Sequence, residues 1–545
     1  MSEQRQIHHT CAAQKAVGGR AIMLQGTASD VGKSVVTTAL CRIFKQDGYR
    51  VAPFKSQNMA LNSYVTPDGK EIGRAQGVQA EACGIAATTD MNPVLIKPMQ
   101  DMHSQIIVHG KPYRNMSALR YRSDFLPVAR QLVTEAVERL KAAYDIVVME
   151  GAGSPAEINL KHNDIVNMNM AKWADAPVIL IADIDRGGVF ASIVGTLELL
   201  EPDERERVVG FIINKFRGDL ELLRPGLTWL EERTGKPVLG VLPYAEDLDI
   251  EAEDSVALEK WKVRVDPERD IDIAVLAIPR ISNFTDIDPL TSEGDVRIRY
   301  VKHPQQLGEP DVVIIPGSKS TIADLLWLQS TGLAEALTTL RERKSRQGSG
   351  LRIVGICGGY QMLGKSLIDQ EGVEAEPGTI VVGLGLLPVE TEFAAIKRTE
   401  QVKGTLITNL PSWRPLQGLT MEGYEIHMGR SVKLSDDATA LVRLAEVTAD
   451  GAQHNEGSDM SLSSATDDGC VSEDGLVFGT YLHGLFHNDD FRRGWLNLIR
   501  ISKGYDPLPV QLRFKEKKEH AYDRLAELTR KHLNMEAIYK AIGSD

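Results

Sequence analysis

Between Ala21 and Leu242 the chain repeats one pattern: a short apolar run, then a longer stretch with helical spacing. The runs are Ala21–Leu24, Val51–Phe54, Ile146–Met149, Val178–Ala182, Val208–Ile213 and Val238–Val241. A strand with one wet face alternates apolar and polar residues. Runs without alternation belong to strands covered on both faces, so the pattern predicts a parallel sheet sandwiched by helices. Ligands of such folds sit beyond the carboxyl ends of the strands, which is where chemistry is to be sought. A second series follows the charged stretch Tyr244–Asp270: Ile271–Ala277, Val312–Ile315, Ile353–Ile356 and Leu476–Tyr481. It predicts a second α/β unit.

The first run ends in Gly26-Thr-Ala-Ser-Asp-Val-Gly32-Lys33-Ser34, and a helical pattern through Leu40 and Phe44 follows. The spacing is one residue longer than the common phosphate loop, but the parts are the same. Gly26, Thr27, Asp30 and Gly32 belong to the loop whose backbone N–H groups cradle phosphate oxygens. Lys33 serves the β- and γ-phosphates, and Ser34 serves Mg²⁺. Glu150 closes the strand Tyr144–Met149 and is positioned to hold the same Mg²⁺, directly or through water; a solvated acid at a turn is the plainer reading. Asn214, after Gly210-Phe-Ile-Ile, stands where phosphate-loop proteins of this layout place a base-reading asparagine. Lys55, Gln57 and Asn58 follow the second run, and Lys97 lies in Leu95-Ile-Lys-Pro98; all are candidates to face an anionic ligand. Asp183, Asp185 and Arg186 end the fourth run beside a Gly pair. Arg186 offers a fork for carboxylate or phosphate, and an internal Asp–Arg pair is the alternative.

In the second series, Leu351-Arg-Ile-Val-Gly-Ile-Cys357-Gly-Gly-Tyr-Gln361 is a buried strand that stops at a cysteine among glycines. Gly355-x-Cys357-x-Gly359 has the form of a nucleophile elbow, a tight turn that lifts one side chain above the sheet. A helix N-terminus there favours the thiolate. Gly317 and Ser318, at the end of Asp311-Val-Val-Ile-Ile-Pro316, join Gly358 as candidate oxyanion-hole residues. A cysteine nucleophile needs a base distant in sequence but near in space. His483, at the end of Phe478-Gly-Thr-Tyr-Leu, is that candidate, and His487 is the fallback.

The formal charge of −13 disfavours nucleic acid or an anionic membrane as partner, because neutralising phosphates needs a basic face. Five scattered cysteines show no disulfide framework or metal spacing, which fits a reducing cytosol. The first residues lack the apolar core of a signal peptide, and no apolar run reaches the ~18 residues of a membrane span. A cytoplasmic location is expected. The divisions expected are an N-terminal tail (1–20), a phosphate-loop synthetase domain (21–245), a linker (246–270), a second α/β domain (271–503) and a charged helical tail (504–545). Residues 448–474, rich in Ser, Asp and Gly, are expected to be a disordered surface insertion.

Gly355-Ile-Cys-Gly-Gly-Tyr-Gln361 with Tyr481-Leu-His-Gly resembles a class I, triad-type glutamine amidotransferase domain. Gly26–Ser34 with Glu150-Gly-Ala-Gly153 is similar to dethiobiotin synthetase, which activates a carboxylate with ATP. Ala28 stands where the chromosome-partitioning ATPases carry an additional lysine, which sets this loop apart from theirs. Fused in this order, both halves resemble the amide-forming enzymes of cobalamin biosynthesis. Lys55-Ser-Gln-Asn-Met-Ala-Leu-Asn62, Asp183–Phe190, Asn214–Asp219 and Gly423–Gly429 resemble the cobyric acid synthase family in particular. The resemblance implies ATP and Mg²⁺ at the phosphate loop, and glutamine as nitrogen donor held by Gln361 and cleaved by Cys357 and His483. It implies a corrinoid acid as substrate: adenosylcobyrinic acid a,c-diamide, amidated at its b, d, e and g carboxylates. Leu485 departs from the wider amidotransferase pattern, which has Glu two residues after the histidine, so the group that orients His483 is open. The rivals are cobyrinic acid a,c-diamide synthase and a non-catalytic phosphate-loop switch carrying an inactive amidotransferase domain.

Overall fold

The computed structural model describes residues 18–100, 103–161, 164–245, 248, 250–251, 269–435, 438–446 and 465–543. All six apolar runs of the first half become strands of one parallel sheet. Its order is Val238–Pro243, Val208–Phe216, Val178–Asp183, Arg20–Gly26, Ile146–Glu150, Val51–Phe54. The first strand therefore lies inside the sheet, and its carboxyl end opens into the phosphate loop. Buried side chains pack both faces. Met23, Val147, Leu180 and Phe211 belong to one core, and Ile22, Val148, Ile181 and Ile212 to the other.

Between the second and third of these strands in sequence, the chain builds a smaller wall. Strands Gln57–Met59, Val94–Gln100, His103–Val108 and Lys111–Ser117 form a four-stranded sheet, and Ser63–Val65 pairs with Glu71–Gly73 as a hairpin. Residues 1–17 of the expected N-terminal tail, most of the expected linker (246–247, 249, 252–268) and residues 448–464 of the expected insertion lie outside the described residues.

The second half contains a sheet ordered Val296–Val301, Ile271–Leu276, Val312–Ile315, Arg352–Ile356, Val477–Thr480, Cys470–Val471, parallel except for the last pair. Beside it stands a mostly antiparallel sheet built on a long hairpin, Val389–Leu406 with Thr420–Lys433. The reading of 448–474 as a disordered insertion fails for its last ten residues. Thr466–Asp468 and Cys470–Val471 are strands, and Cys470 and Val471 are buried. Asp468 accepts hydrogen bonds from Thr480 Oγ1 and the Tyr481 N–H, so its polarity is used internally rather than solvated.

The C-terminal helices, Phe514–His532 and Met535–Ala541, are not a free tail. Tyr522, Ala526, Leu533 and Ile538 are buried in the core that also holds Val36, Leu40 and Phe44 of the helix Lys33–Gln46. Arg42 Nε reaches Asp523 at 2.7 Å, and Arg530 pairs with Asp47 at 2.9 Å. The chain's end thus braces the helix that begins at the phosphate loop.

Candidate active sites

The strand Arg352–Ile356 runs directly into Cys357, whose backbone takes φ 52° and ψ −109°. Positive φ is strained for a residue with a Cβ and persists only where the surroundings over-determine it. Here the surroundings are close. A Cβ on Gly359 would lie 2.0 Å from the Ile315 carbonyl oxygen, so only glycine lets the helix Gly358–Leu363 start against the neighbouring strand. The Cys357 N–H donates to Thr480 O at 2.8 Å, tying the elbow to the strand that delivers His483.

His483 is fully buried. Its Nδ1 donates to Asp286 Oδ2 at 2.7 Å, and Asp286 Oδ1 accepts the Gly484 N–H at 2.8 Å. Burial opposes a charge on the imidazole, but Asp286 and the hydrogen-bonded Cys357 thiol prevail and push its pKa up to about 10. Burial likewise opposes the Asp286 carboxylate, yet His483 and the Gly484 N–H hold it below its usual range. Tyr424 stacks on the imidazole at 5.1 Å and 14°. The Cys357 thiol faces Ile426 O at 3.7 Å. The sequence alone assigns no site role to Asp286, nor to Tyr424 and Ile426 within the string Gly423–Gly429. Asp286 sits in the turn Phe284–Ile287, and the polar cluster Ser282-Asn283-Phe284-Thr285-Asp286 just past an apolar run was the signal available for it.

Gln361 is buried beside this centre. It donates to Met428 O at 3.0 Å and to Tyr481 Oη at 3.1 Å, and it accepts from Thr321 Oγ1 at 3.1 Å. A Cβ on Gly358 would sit 2.9 Å from the Ser318 nitrogen, and one on Gly317 3.4 Å from His483 Cε1. The three expected oxyanion-hole residues thus meet beside the thiol and imidazole. His487, the fallback base, lies elsewhere. It stacks on Phe514 at 5.1 Å, and burial lowers its pKa to about 4. Leu485 is core.

At the first site, Gly32 takes φ 96° at the start of the helix Lys33–Gln46. Lys33 Nζ donates to Ala28 O at 2.9 Å and Gly153 O at 3.0 Å, curling back over its own loop. Ser34 Oγ donates to Glu150 Oε1 at 2.8 Å. A hydroxyl and a carboxylate side by side at the lysine's loop are the oxygen donors that Mg²⁺ takes, so the residues fit the ion. Gly26 ends the first strand and Thr27 follows it; the Thr27 N–H donates to Ile181 O at 2.9 Å. A cavity of about 910 Å³ opens from the loop and is lined by Asp30, Lys33, Ser34, Gln57, Asn58 and Glu150 among others.

Several expected ligand contacts are spoken for. Asn214 Nδ2 donates to Val31 O at 2.8 Å, and its Oδ1 accepts the Lys215 N–H; the amide braces the phosphate loop rather than offering itself to a base. Lys55, though at the cavity wall, pairs with Glu150 at 2.9 Å. Asp183 binds Lys215 at 2.7 Å, Asp185 binds Arg217 at 3.2 Å, and Arg186 lies 3.4 Å from Asp30. These three sit at the loop's outer rim and not in the cavity wall, because the fourth strand ends on the side away from the wall sheet. Lys97 is turned away from the cavity altogether and pairs with Glu71. Gln57 and Asn58 do face the cavity.

Residues 22–257 match the family model of the CobQ/CobB/MinD/ParA nucleotide binding domain, and residues 272–491 match that of the CobB/CobQ-like glutamine amidotransferase domain. The chain is 51% identical over 517 residues to cobyric acid synthase of Geobacillus sp. (strain WCH70), covering 95% of this chain and 96% of that one. It is 52% identical over 524 residues to cobyric acid synthase of Desulforamulus reducens, covering 96% and 98%. The same enzyme of Klebsiella pneumoniae subsp. pneumoniae is 51% identical over 522 residues, covering 95% and 97%. The chain belongs to the cobyric acid synthase family.

Proposed function

We propose that the chain makes carboxamides on a corrinoid polycarboxylic acid, using ATP to activate each acid and glutamine to supply nitrogen, in cobalamin biosynthesis. The substrate on this reading is adenosylcobyrinic acid a,c-diamide, and the b, d, e and g carboxylates are amidated to give adenosylcobyric acid. The observation that carries it is the coexistence, in one family member, of a Cys357–His483–Asp286 centre and a phosphate loop opening into a large cavity.

A carboxylate is a poor acyl donor, because attack by ammonia would have to expel an oxide ion. Transfer of the ATP γ-phosphoryl group to one oxygen converts it into a phosphate leaving group. Lys33 and the backbone from Gly26 to Gly32 hold the phosphates, and positioning and charge neutralisation supply most of this catalysis. Ser34 and Glu150 would hold Mg²⁺, which when bound spreads the charge that develops on the β- and γ-phosphates. Gln57 and Asn58 face the acid from the cavity wall.

At the second centre the Cys357 thiolate attacks the glutamine side-chain carbonyl, with the Ser318 and Gly358 region stabilising the oxyanion. His483, held protonated by Asp286, gives its proton to the departing nitrogen, and ammonia leaves. Neutral His483 then takes a proton from water as it attacks the thioester, releasing glutamate and restoring the thiolate–imidazolium pair. Ammonia attacks the acyl phosphate at the first site and expels phosphate.

The deciding experiment incubates the chain with ATP, glutamine and the a,c-diamide and counts amide groups gained by mass spectrometry. Amidation at b, d, e and g is expected. A chain that adds no amide to the a,c-diamide but, given cobyrinic acid instead, amidates its a and c positions would be the rival diamide synthase, and one that releases neither glutamate nor amide would be the non-catalytic switch.

A further inference from the structure

The two centres lie on opposite sides of the four-stranded wall. Ile96 and Ile106 pair across its middle strands, and both line the cavity. Their sequence neighbours Lys97 and Gln105 also pair, and strand alternation turns them to the other face. There Gln105 Oε1 accepts from Lys319 Nζ at 3.3 Å. Lys319, the residue after Ser318 of the oxyanion hole, is half-buried and within electrostatic reach of Cys357. Burial and Lys397 lower its pKa to about 8.

Glu71 stands at the centre of this face. It is 1% exposed and pairs with Lys97 of the wall and with Lys397 of the amidotransferase hairpin. Burial works against its carboxylate, but the two lysines hold it well below the usual range. The hairpin that carries Glu71 also reaches the glutamine centre. The Ser63 N–H donates to Asn283 Oδ1 at 3.0 Å, Asn283 lies 3.4 Å from His483 Nε2, and Val65 packs with Tyr424 and Ile426.

Desolvating charges at such a joint seldom adds net stability, and in some proteins such buried charges serve instead to fix register between parts. On the proposed function, ammonia released at Cys357 has to reach the cavity on the wall's other face, and ammonia that escapes to solvent is protonated and lost. Resting on the function proposed above, we propose that Glu71, clasped by Lys97 and Lys397, is a positioning residue that seals the joint between the halves, so that ammonia freed at Cys357 is delivered to the phosphate-loop cavity.

The test uses the full chain with amide-¹⁵N-labelled glutamine in the presence of excess unlabelled ammonium. Glutamate released per amide formed, and the ¹⁵N content of the product, are measured for Glu71→Gln and for Glu71→Gln with Lys397→Gln, the second leaving Lys97 as the one remaining charge of the three. Wild type is expected to keep the label in the product. Both variants are expected to lose it to dilution and to release roughly tenfold more glutamate per amide, the change that about 1.4 kcal/mol at the joint gives. Amidation driven by ammonium alone is expected to stay near wild type, which also reports that the first half is folded, and Glu71→Asp should restore part of the label. Variants that keep the label, a wild type whose product already matches bulk mixing, or loss of ammonium-driven amidation in the variants would each overturn the inference. A wild type that forms no amide from either nitrogen source would instead remove the function on which it rests.

Discussion

Asp286 Oδ2 lies 2.7 Å from His483 Nδ1 although 197 residues separate them. The turn after the first strand of the second half therefore supplies the carboxylate that most cysteine-triad amidotransferases place two residues after the histidine, where this chain has Leu485. The acid fixes the tautomer and holds the imidazolium. Asp286→Asn keeps the shape but removes the charge, and by analogy with other triads it should lower glutamate release by about 10²-fold or more. Amidation from ammonium should be unaffected. Glutamate release at saturating glutamine is the measurement, and a wild-type rate would remove Asp286 from the mechanism.

The same pair sets a pH signature on stability. His483 binds its proton more tightly folded, near pH 10, than its ordinary value of 6.5. Its contribution is therefore fully present below about pH 6.5 and is lost as the pH rises toward 10. Thermal midpoints of wild type should fall across that window more steeply than those of Asp286→Asn, whose His483 lacks the carboxylate. Parallel curves in scanning fluorimetry would contradict the assignment.

Legibility in the sequence followed the physics of each part. The six strands of the first sheet were readable because both faces are buried, so each run is apolar without interruption. The elbow was readable because a strand, a cysteine and close glycines leave little else to build. The long hairpin Val389–Leu406 with Thr420–Lys433 was not read, since it is half exposed and carries charge along much of its length. That hairpin nevertheless brings Tyr424 and Ile426 to the thiol. Leu95-Ile-Lys97-Pro98 marked Lys97 as a candidate for an anionic ligand, but nothing in so short a string says which face of its strand meets the cavity. Asp286 is near His483 only through tertiary structure, and no spacing encodes that.

Lys33 donates to two carbonyls of its own surroundings, Ala28 and Gly153, which holds the ammonium over the loop where phosphate oxygens belong. Lys33→Ala should reduce amidation from glutamine and from ammonium alike, by about 10²–10³-fold, the usual effect of losing one preorganised charge donor. Glutamate release should persist at some level, since Cys357 and His483 are untouched. Unchanged amide formation by this variant would exclude the phosphate loop from the reaction.

Ile538 is fully buried in the core shared with the helix Lys33–Gln46. Ile538→Ala should cost about 2–5 kcal/mol by transfer and cavity terms. Because that helix starts at Gly32, the loss should also weaken ATP binding while leaving glutamate release intact. Thermal denaturation with and without ATP would show it. A fall in glutaminase equal to the fall in ATP affinity would mean that the two halves unfold as one.

Gly359 tests the elbow itself. The space for its missing Cβ is filled by backbone, with Ile315 O at 2.0 Å and Pro316 O at 2.9 Å, so no side chain can swing aside to make room. Gly359→Ala must push the helix Gly358–Leu363 away from the strand Val312–Ile315. That relaxes the φ of Cys357 and separates the thiol from His483 and from the Ser318 backbone. The expected result is loss of glutamate release by about 10²-fold or more, with ammonium-driven amidation retained. A thiol-alkylating probe should report the same change, since a thiolate paired with imidazolium reacts faster at neutral pH than a thiol released from it. If alkylation and glutamate release both stayed at wild-type rates, the strained turn would not be what activates Cys357.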